Sequence, residues 1–267
     1  MISLVNFRNV TVSDGAVIHV AAGGTDKRPP VVLLHSLLGS HAAWLPVMAA
    51  LSLERTAIVP DLRGHGASSP TSGPYSIARL AADVVDVLDA FNVSRAHIVG
   101  VSIGSMIAQQ LACDYADRCC TVTAAAAGPT VPEAMWPQWD QRCAVVRAQG
   151  VESQVEISLA RWFTGSVSMR ARDLAREMIV ATSVAGFVGC VGAVKRHNLV
   201  EKLSNISLPT LVIAGEEDES VPLQAVKALA ALIPGADFLV VPGVRHQLAL
   251  QEPQVFVRAL QNQITKH

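Results

Sequence analysis

Uninterrupted apolar runs alternate with segments of helical spacing over most of the chain. The apolar runs cover residues 30–35, 56–61, 96–101, 119–126, 208–215 and 237–241. Runs without polar alternation are typical of parallel strands buried on both faces, so they predict the core of a parallel sheet. Helices are predicted between them at residues 41–51, 76–88 (with Ser76 as N-cap), 103–115, 223–233 and 253–264. This order predicts an α/β fold, with a mostly parallel central sheet flanked by helices.

Two regions depart from the alternation. Residues 9–21 alternate around Asp14-Gly15, which predicts two strands joined by a hairpin turn. Residues 129–206 have only helical character, so we predict a helical cap inserted into a core formed by residues 1–128 and 207–267. Within the cap, residues 178–194 carry no charge. Because this run is slightly too short to span a membrane, we predict a helix that covers an apolar pocket.

Composition narrows the class of protein. The 267 residues are 51% hydrophobic and 16% charged, which excludes disorder and predicts a sizeable core. A net charge of −1 favours neither nucleic acid nor a membrane as partner. Five cysteines without metal-ligand spacing predict reduced thiols and no metal. Met1–Asn6 lacks the pattern of a signal peptide, so a cytoplasmic protein is expected.

The candidate nucleophile is Ser102, in the Gly-x-Ser-x-Gly pattern of residues 100–104. The pattern follows an apolar run and precedes a helical segment, which is typical of a nucleophile elbow. Glycines are needed on both sides of such a serine because a β-carbon there would collide with the adjoining strand or helix. The arrangement predicts a serine hydrolase that acts through an acyl-enzyme and needs no cofactor.

A serine nucleophile needs a base and an acid that orients it. Asp218 and His246 each follow a predicted strand end. Along the chain the nucleophile comes first, then the acid, then the histidine, which is the order found in folds that carry a nucleophile elbow. The competing acids are Glu216, Glu217, Glu219 and Glu133. The oxyanion hole is predicted from the backbone N–H groups of Ile103 and Leu37. The dense loop from Asp61 to Ser68 has no phosphate-binding pattern and is predicted to brace the site.

Taken together, the motifs resemble the α/β-hydrolase superfamily from about residue 17 to the end. They are His35–Gly39, residues 61–68, residues 100–104, Gly215 with Asp218, and His246. Residues 73–77, 94–102 and 161–164 are similar to 3-oxoadipate enol-lactonases. Two positions depart from the superfamily pattern, where Ser36 and Ser105 replace glycines.

The enol-lactonase resemblance implies a small lactone that carries a carboxylate, and therefore a cationic contact in the cap. The candidate substrate contacts are His35, Trp136, Arg142, Arg161 and Trp162, while Arg147, Lys195 and Arg196 are further cations of the cap. A larger apolar ester stays open as substrate, and a homodimer stays open as assembly. The alternative functions are a carbon–carbon bond hydrolase or lyase with the same triad, and a non-catalytic small-molecule receptor of the same fold.

Overall fold

A computed structural model describes residues 5–24, 29–51 and 55–266. The expectation drawn from Met1–Asn6 therefore lies largely outside the described residues. The strands are β1 (Asn6–Thr11), β2 (Val17–Gly23), β3 (Val31–Leu34), β4 (Ala57–Pro60), β5 (Ala96–Val101), β6 (Cys119–Ala125), β7 (Thr210–Gly215) and β8 (Asp237–Val241). Within the described ranges they form one eight-stranded sheet in the order β1-β2-β4-β3-β5-β6-β7-β8.

The sheet is parallel from β4 to β8, and only β1 and β2 run antiparallel to their neighbours. Strands β3, β4, β5 and β7 are buried along their whole length, as their apolar runs predict. The predicted N-terminal hairpin is confirmed, and Gly15 makes its turn in the left-handed region at φ +88°.

Helices cover both faces of the sheet. They are α1 (Leu45–Leu51), α2 (Ile77–Ala90), α3 (Ile103–Asp114), α4 (Trp136–Gln149), α5 (Val155–Trp162), α6 (Met169–Val180), α7 (Val184–Lys195), α8 (Leu223–Leu232), α9 (Leu248–Gln251) and α10 (Pro253–Lys266). The buried residues of α1 and α10 form one apolar cluster, while those of α2, α3, α8 and the cap helices form another. The predicted N-cap is confirmed, since Ser76 Oγ accepts the Arg79 N–H at 3.1 Å.

The cap is inserted between β6 and β7 through a narrow neck. Thr130 and Asn198 form an antiparallel bridge. Beside them the Val131 N–H donates to the His197 carbonyl at 3.1 Å, and the Leu199 N–H donates to the Pro129 carbonyl at 3.0 Å. The neck therefore closes at residues 130 and 198. The chain from 199 to 206 then leads to β7 through the turn Leu203–Asn205, which contacts α3.

The uncharged segment 178–194 is not the single helix that we predicted. It contains the end of α6 and most of α7, which meet at 96°. The break follows from Ser183, whose Oγ accepts the Gly186 N–H at 2.9 Å and starts a new helix. Among the described residues, no single helix is both long and apolar enough to cross a membrane, although α6 and α7 would pass that test if they were joined.

Close backbone contacts hold the cap on the core. The Ser183 N–H donates to the Gly64 carbonyl at 2.8 Å, and the Tyr75 N–H donates to the Gly189 carbonyl at 3.1 Å. A Cβ on Gly64 would lie 2.4 Å from the Cα of Gly186. Most of α7 is consequently buried against the core, and Val194 near its C-terminal end lines an apolar cavity.

Charged side chains fix the loop from Asp61 to Ser68 to the core. Arg63 is buried and donates to Asp83 from Nε at 2.5 Å and from Nη2 at 2.6 Å, and Nη2 also reaches Asp14 at 2.8 Å. Although burial opposes the charge, these two carboxylates raise the pKa of Arg63. Asp61 accepts the N–H groups of His41 and Ala67 and so ties two loops together.

Candidate active site

Ser102 lies on a strained turn between β5 and α3. Its backbone has φ +59° and ψ −119°, and φ in this range is costly for any residue except glycine. A Cβ on Gly100 would lie 2.0 Å from the Gly104 carbonyl oxygen, and one on Gly104 would lie 2.2 Å from the Leu34 carbonyl oxygen. The turn therefore requires both glycines of the motif. Ser105, the departure from the superfamily pattern, is fully buried, and its Oγ accepts from Gln109 Nε2 at 3.4 Å.

Asp218 and His246 meet in the loops that follow β7 and β8. His246 Nδ1 lies 2.8 Å from Asp218 Oδ2, and both side chains are buried. The other carboxylate oxygen, Oδ1, accepts the N–H groups of Ser220 at 2.8 Å and Val221 at 3.1 Å. These bonds fix the carboxylate, which in turn orients the imidazole.

Within the described residues the competing carboxylates form no hydrogen bond or ion pair with His246, although Glu219 lines the same cavity. Glu219 pairs with Arg245 at 2.7 Å, and Glu216 accepts the Gly243 N–H at 3.3 Å. Glu133 and Glu217 are exposed to solvent. Within the described residues, Asp218 is the carboxylate that contacts His246.

Ser102 and His246 line the same cavity. Among the described residues Ser102 Oγ makes no hydrogen bond, and it does not cap α3. Catalytic hydrogen bonds are often long in proteins without substrate and tighten when substrate binds. The two side chains therefore meet at one cavity, although no hydrogen bond joins them among the described residues.

Two backbone amides lie beside Ser102. Ile103 is the first residue of α3, and Leu37 follows β3 in a loop where Leu38 has φ +66°. Neither amide donates to another atom in the part of the chain that the structure describes. A helix N-terminus also carries positive potential. Such unpaired donors can stabilise an oxyanion, which is the role that the sequence predicts for them.

Ser102 and His246 stand where two lobes of the cavity meet. The cationic lobe encloses about 120 Å³, and its own walls are Leu38, Gln138, Arg142, Ile157, Ser158, Arg161, Trp162 and Glu219, whose carboxylate is paired with Arg245. The apolar lobe encloses about 100 Å³, and its walls include Met106, Val131, Pro132, Val194, Val221 and Ala225. Both lobes share Leu37, Ser102, Met135, Trp139, Ser220 and His246.

Arg142 is a half-buried cation in the cationic lobe. Its Nε donates to Gln154 Oε1 at 2.9 Å, and its guanidinium lies 4.8 Å from the ring centre of Trp139. Burial, together with the charge of Arg161, lowers the pKa of Arg142 to about 10, so the group is still a cation at neutral pH. Within the described residues neither Arg142 nor Arg161 has a carboxylate partner.

The other predicted cations of the cap point elsewhere. Lys195 pairs with Asp140, Arg196 donates to the Tyr75 carbonyl at 3.2 Å, and Arg147 is exposed. Of the predicted substrate contacts, Arg142, Arg161 and Trp162 line the cationic lobe.

His35 and Trp136 are not cavity residues, which corrects two predicted substrate contacts. His35 is buried, and both ring nitrogens are in use: Nε2 accepts the Leu62 N–H and Nδ1 lies 2.8 Å from the Ser36 carbonyl. Desolvation lowers the pKa of His35, which keeps the ring neutral. The ring of Trp136 packs under Lys195 Nζ.

Sequence reasoning missed Trp139 and Gln247. Met135, Trp139 and Arg142 lie on one face of the α4 region, and this spacing of three to four residues is the signal that identifies Trp139. Gln247 Nε2 donates to Ser36 Oγ at 2.5 Å, joining the loop of His246 to the loop of Leu37. No sequence signal connects two residues so far apart.

The sheet topology and the serine on its strained turn define the class of protein as an α/β hydrolase, and comparison with known proteins agrees. A family model described as the alpha/beta hydrolase fold matches residues 29–156. The chain is 30% identical over 268 residues to RutD of Caulobacter segnis, a candidate carbamate hydrolase, with 92% of this chain and 95% of the relative covered. The chain therefore belongs to the α/β-hydrolase fold family.

The relatives include enol-lactonases, in agreement with the resemblance found in the sequence. The 3-oxoadipate enol-lactonase 1 of Acinetobacter baylyi is 29% identical over 254 residues, with 93% of each chain covered. The crystal structure of the enol-lactonase from Burkholderia xenovorans LB400 superposes with a TM-score of 0.92 at 27% identity, covering 97% of this chain and 100% of that one. A hydrolase from Pseudomonas aeruginosa PA01 gives a TM-score of 0.91 at 32% identity, covering 97% and 98%. These comparisons support a hydrolase of this fold.

Proposed function

We propose that this protein is a serine hydrolase that cleaves a carboxylate-bearing ester or lactone through an acyl-enzyme on Ser102. The observation that carries the substrate class is the pair Arg142 and Arg161, which line the cavity of Ser102 without a carboxylate partner among the described residues. The similarity to enol-lactonases supports the same class.

The geometry supports the following reaction. His246 removes the proton from Ser102 Oγ as the serine attacks the substrate carbonyl. Asp218, held by two backbone amides, keeps the proton of the imidazole on Nδ1 and stabilises the imidazolium that forms. The amides of Leu37 and Ile103 stabilise the oxyanion. When the tetrahedral intermediate collapses, the ester C–O bond breaks and His246 gives its proton to the departing alcohol oxygen. Water, deprotonated by His246, then attacks the acyl-enzyme; the carboxylic acid leaves, and the proton returns from His246 to Ser102 Oγ.

Electrostatics supports an anionic substrate. A half-buried guanidinium without a carboxylate partner is under-compensated, and a substrate carboxylate supplies the missing charge. At an effective dielectric constant of about 20, two unit charges 4 Å apart attract by about 4 kcal/mol. Part of this energy is lost to desolvation, so we expect a net contribution of about 1.5–3 kcal/mol, which is typical of a hydrogen bond to a charged group.

Paired substrates test the proposal. Arg142→Gln should lower kcat/KM about 10–100-fold for an ester that carries a carboxylate, and far less for the same compound as its neutral amide. Arg147→Gln is the matched control, because Arg147 is an exposed arginine on the same helix. Equal losses on both substrates would show that Arg142 does not recognise the carboxylate.

The covalent step needs its own test. A serine-reactive phosphonate should label the wild type on Ser102 and leave Ser102→Ala unlabelled. A burst of acyl-enzyme on an activated ester distinguishes ester hydrolysis from carbon–carbon cleavage and from a receptor. Including a carbamate in the substrate panel covers the activity named for the RutD relatives. Absence of both labelling and ester turnover would overturn the serine mechanism.

A further inference from the structure

The apolar lobe shares Ser102 and His246 with the cationic lobe but contains neither arginine, and it has no role in the proposed recognition of a carboxylate. Its walls come from α3, the start of the cap, α7 and the β7–α8 connection. They are formed by side chains such as Met106, Val131, Val194, Val221 and Ala225, and no lysine, arginine, aspartate or glutamate is among them. The lobe opens directly onto Ser102 and His246.

Because one lobe is charged and the other is apolar, each is expected to bind a different end of the substrate. Placing a charge in the apolar lobe would leave it without a partner, which is costly, whereas a hydrocarbon there leaves water favourably. A hydrocarbon in the cationic lobe would leave Arg142 and Arg161 uncompensated. A substrate whose carbonyl lies at Ser102 is therefore oriented with its anion towards the arginines and its apolar part towards Val131 and Ala225.

The size of the lobe limits the apolar part. The lobe encloses about 100 Å³. A dry protein cavity of about 150 Å³ holds benzene, so this lobe suits a chain of about four carbons.

We propose that the apolar lobe is a hydrocarbon-binding subsite, and that the substrate is an ester or lactone with a carboxylate on one side of the reacting carbonyl and an arm of about four carbons on the other. The inference rests on the proposed function of Ser102. It goes further, because a small lactone whose only substituent is a carboxylate would leave this lobe unfilled.

Two homologous series of esters test the subsite. In 4-acyloxybenzoates the carboxylate is on the leaving group and the acyl chain varies, while in monoalkyl succinates the carboxylate is on the acyl group and the alcohol varies. We expect kcat/KM to rise about fourfold per methylene up to about four carbons in at least one series, and then to level off or fall. A flat or falling profile in both series would overturn the inference.

Variants that change the volume of the lobe sharpen the test. Ala225→Leu fills the lobe, so the ratio of kcat/KM for the pentanoyl and acetyl esters should fall towards one. Met106→Ala enlarges it and should move the optimum to a longer chain. Ala228→Leu is the matched control, because it makes the same substitution at an exposed position of α8 and should keep the wild-type ratio.

The outcomes also separate this inference from the proposed function. If Ser102→Ala still hydrolyses the acetyl ester, the proposed function fails. If hydrolysis requires Ser102 but the chain-length profile is flat and neither Ala225→Leu nor Met106→Ala changes it, the hydrocarbon subsite alone fails.

Discussion

Asp218→Asn removes the carboxylate that orients His246 but keeps the hydrogen bonds that Asp218 accepts from the backbone. Oδ1 is fixed by the N–H groups of Ser220 and Val221, so the asparagine carbonyl oxygen takes the same position. The amide nitrogen then faces His246 Nδ1 at the place of Oδ2. Because an amide NH2 donates, Nδ1 must accept, and the imidazole proton moves to Nε2. In that tautomer His246 cannot accept the proton of Ser102.

The expected loss is therefore a loss of rate. The same tautomer change in a serine protease lowers kcat about 10⁴-fold, which corresponds to about 5 kcal/mol in the activation free energy. KM should change little, because Asp218 lines neither lobe of the cavity. The variant should fold, since the asparagine keeps both bonds to the backbone amides.

Stopped-flow hydrolysis of an activated ester, with phosphonate labelling in parallel, measures the effect. Glu217→Gln is the control, because it removes one charge from the same loop at an exposed position. A rate for Asp218→Asn within tenfold of the wild type would refute the assignment of the acid. A larger loss in Glu217→Gln than in Asp218→Asn would refute it equally.

Three further expectations follow from the described geometry. Because a pKa of about 10 leaves Arg142 charged below that value and neutral above it, KM for an anionic ester should rise between pH 9 and 11, while KM for its neutral amide stays flat. Burial lowers the pKa of His65 to about 3 and the pKa values of His97 and His197 to about 4, so the unfolded chain binds more protons than the folded chain between pH 7 and pH 4.5; urea midpoints should show a stability loss of at least about 3 kcal/mol over this range, and equal midpoints would contradict it. Ser36→Gly removes the bond to Gln247, and steady-state kinetics should show kcat about 2–10-fold lower at similar KM; an unchanged kcat would show that the bond does not position the oxyanion loop.

The core of the fold could be predicted because its strands are buried on both faces and their apolar runs are unmistakable. The same strands account for the prediction of Ser102, Asp218 and His246 as one site, since parallel strands bring their carboxyl ends to a single edge of the sheet. Their meeting is a consequence of topology that needs no knowledge of individual side chains.

The cap was predicted less well, for a physical reason. The face of α4 towards the cavity carries Met135, Trp139 and Arg142, so it mixes apolar, aromatic and charged residues. Apolar periodicity therefore could not distinguish Trp139 from Trp136. The break between α6 and α7 depends on the single side chain of Ser183, whose capping signal lies within an apolar run.

Because the chain enters and leaves the cap at the neck of Thr130 and Asn198, the cap can be exchanged as one segment. Both ends of the insert leave the core side by side, so one segment can replace another without altering the chain that carries Ser102, Asp218 and His246. A donor segment must meet two steric conditions, because the position of Gly186 approaches the backbone of Gly64, and that of Gly189 approaches the ring of Tyr75, too closely for a side chain. Chimaeras that keep both glycines should fold with a new substrate range, and natural relatives can diverge in specificity by the same route.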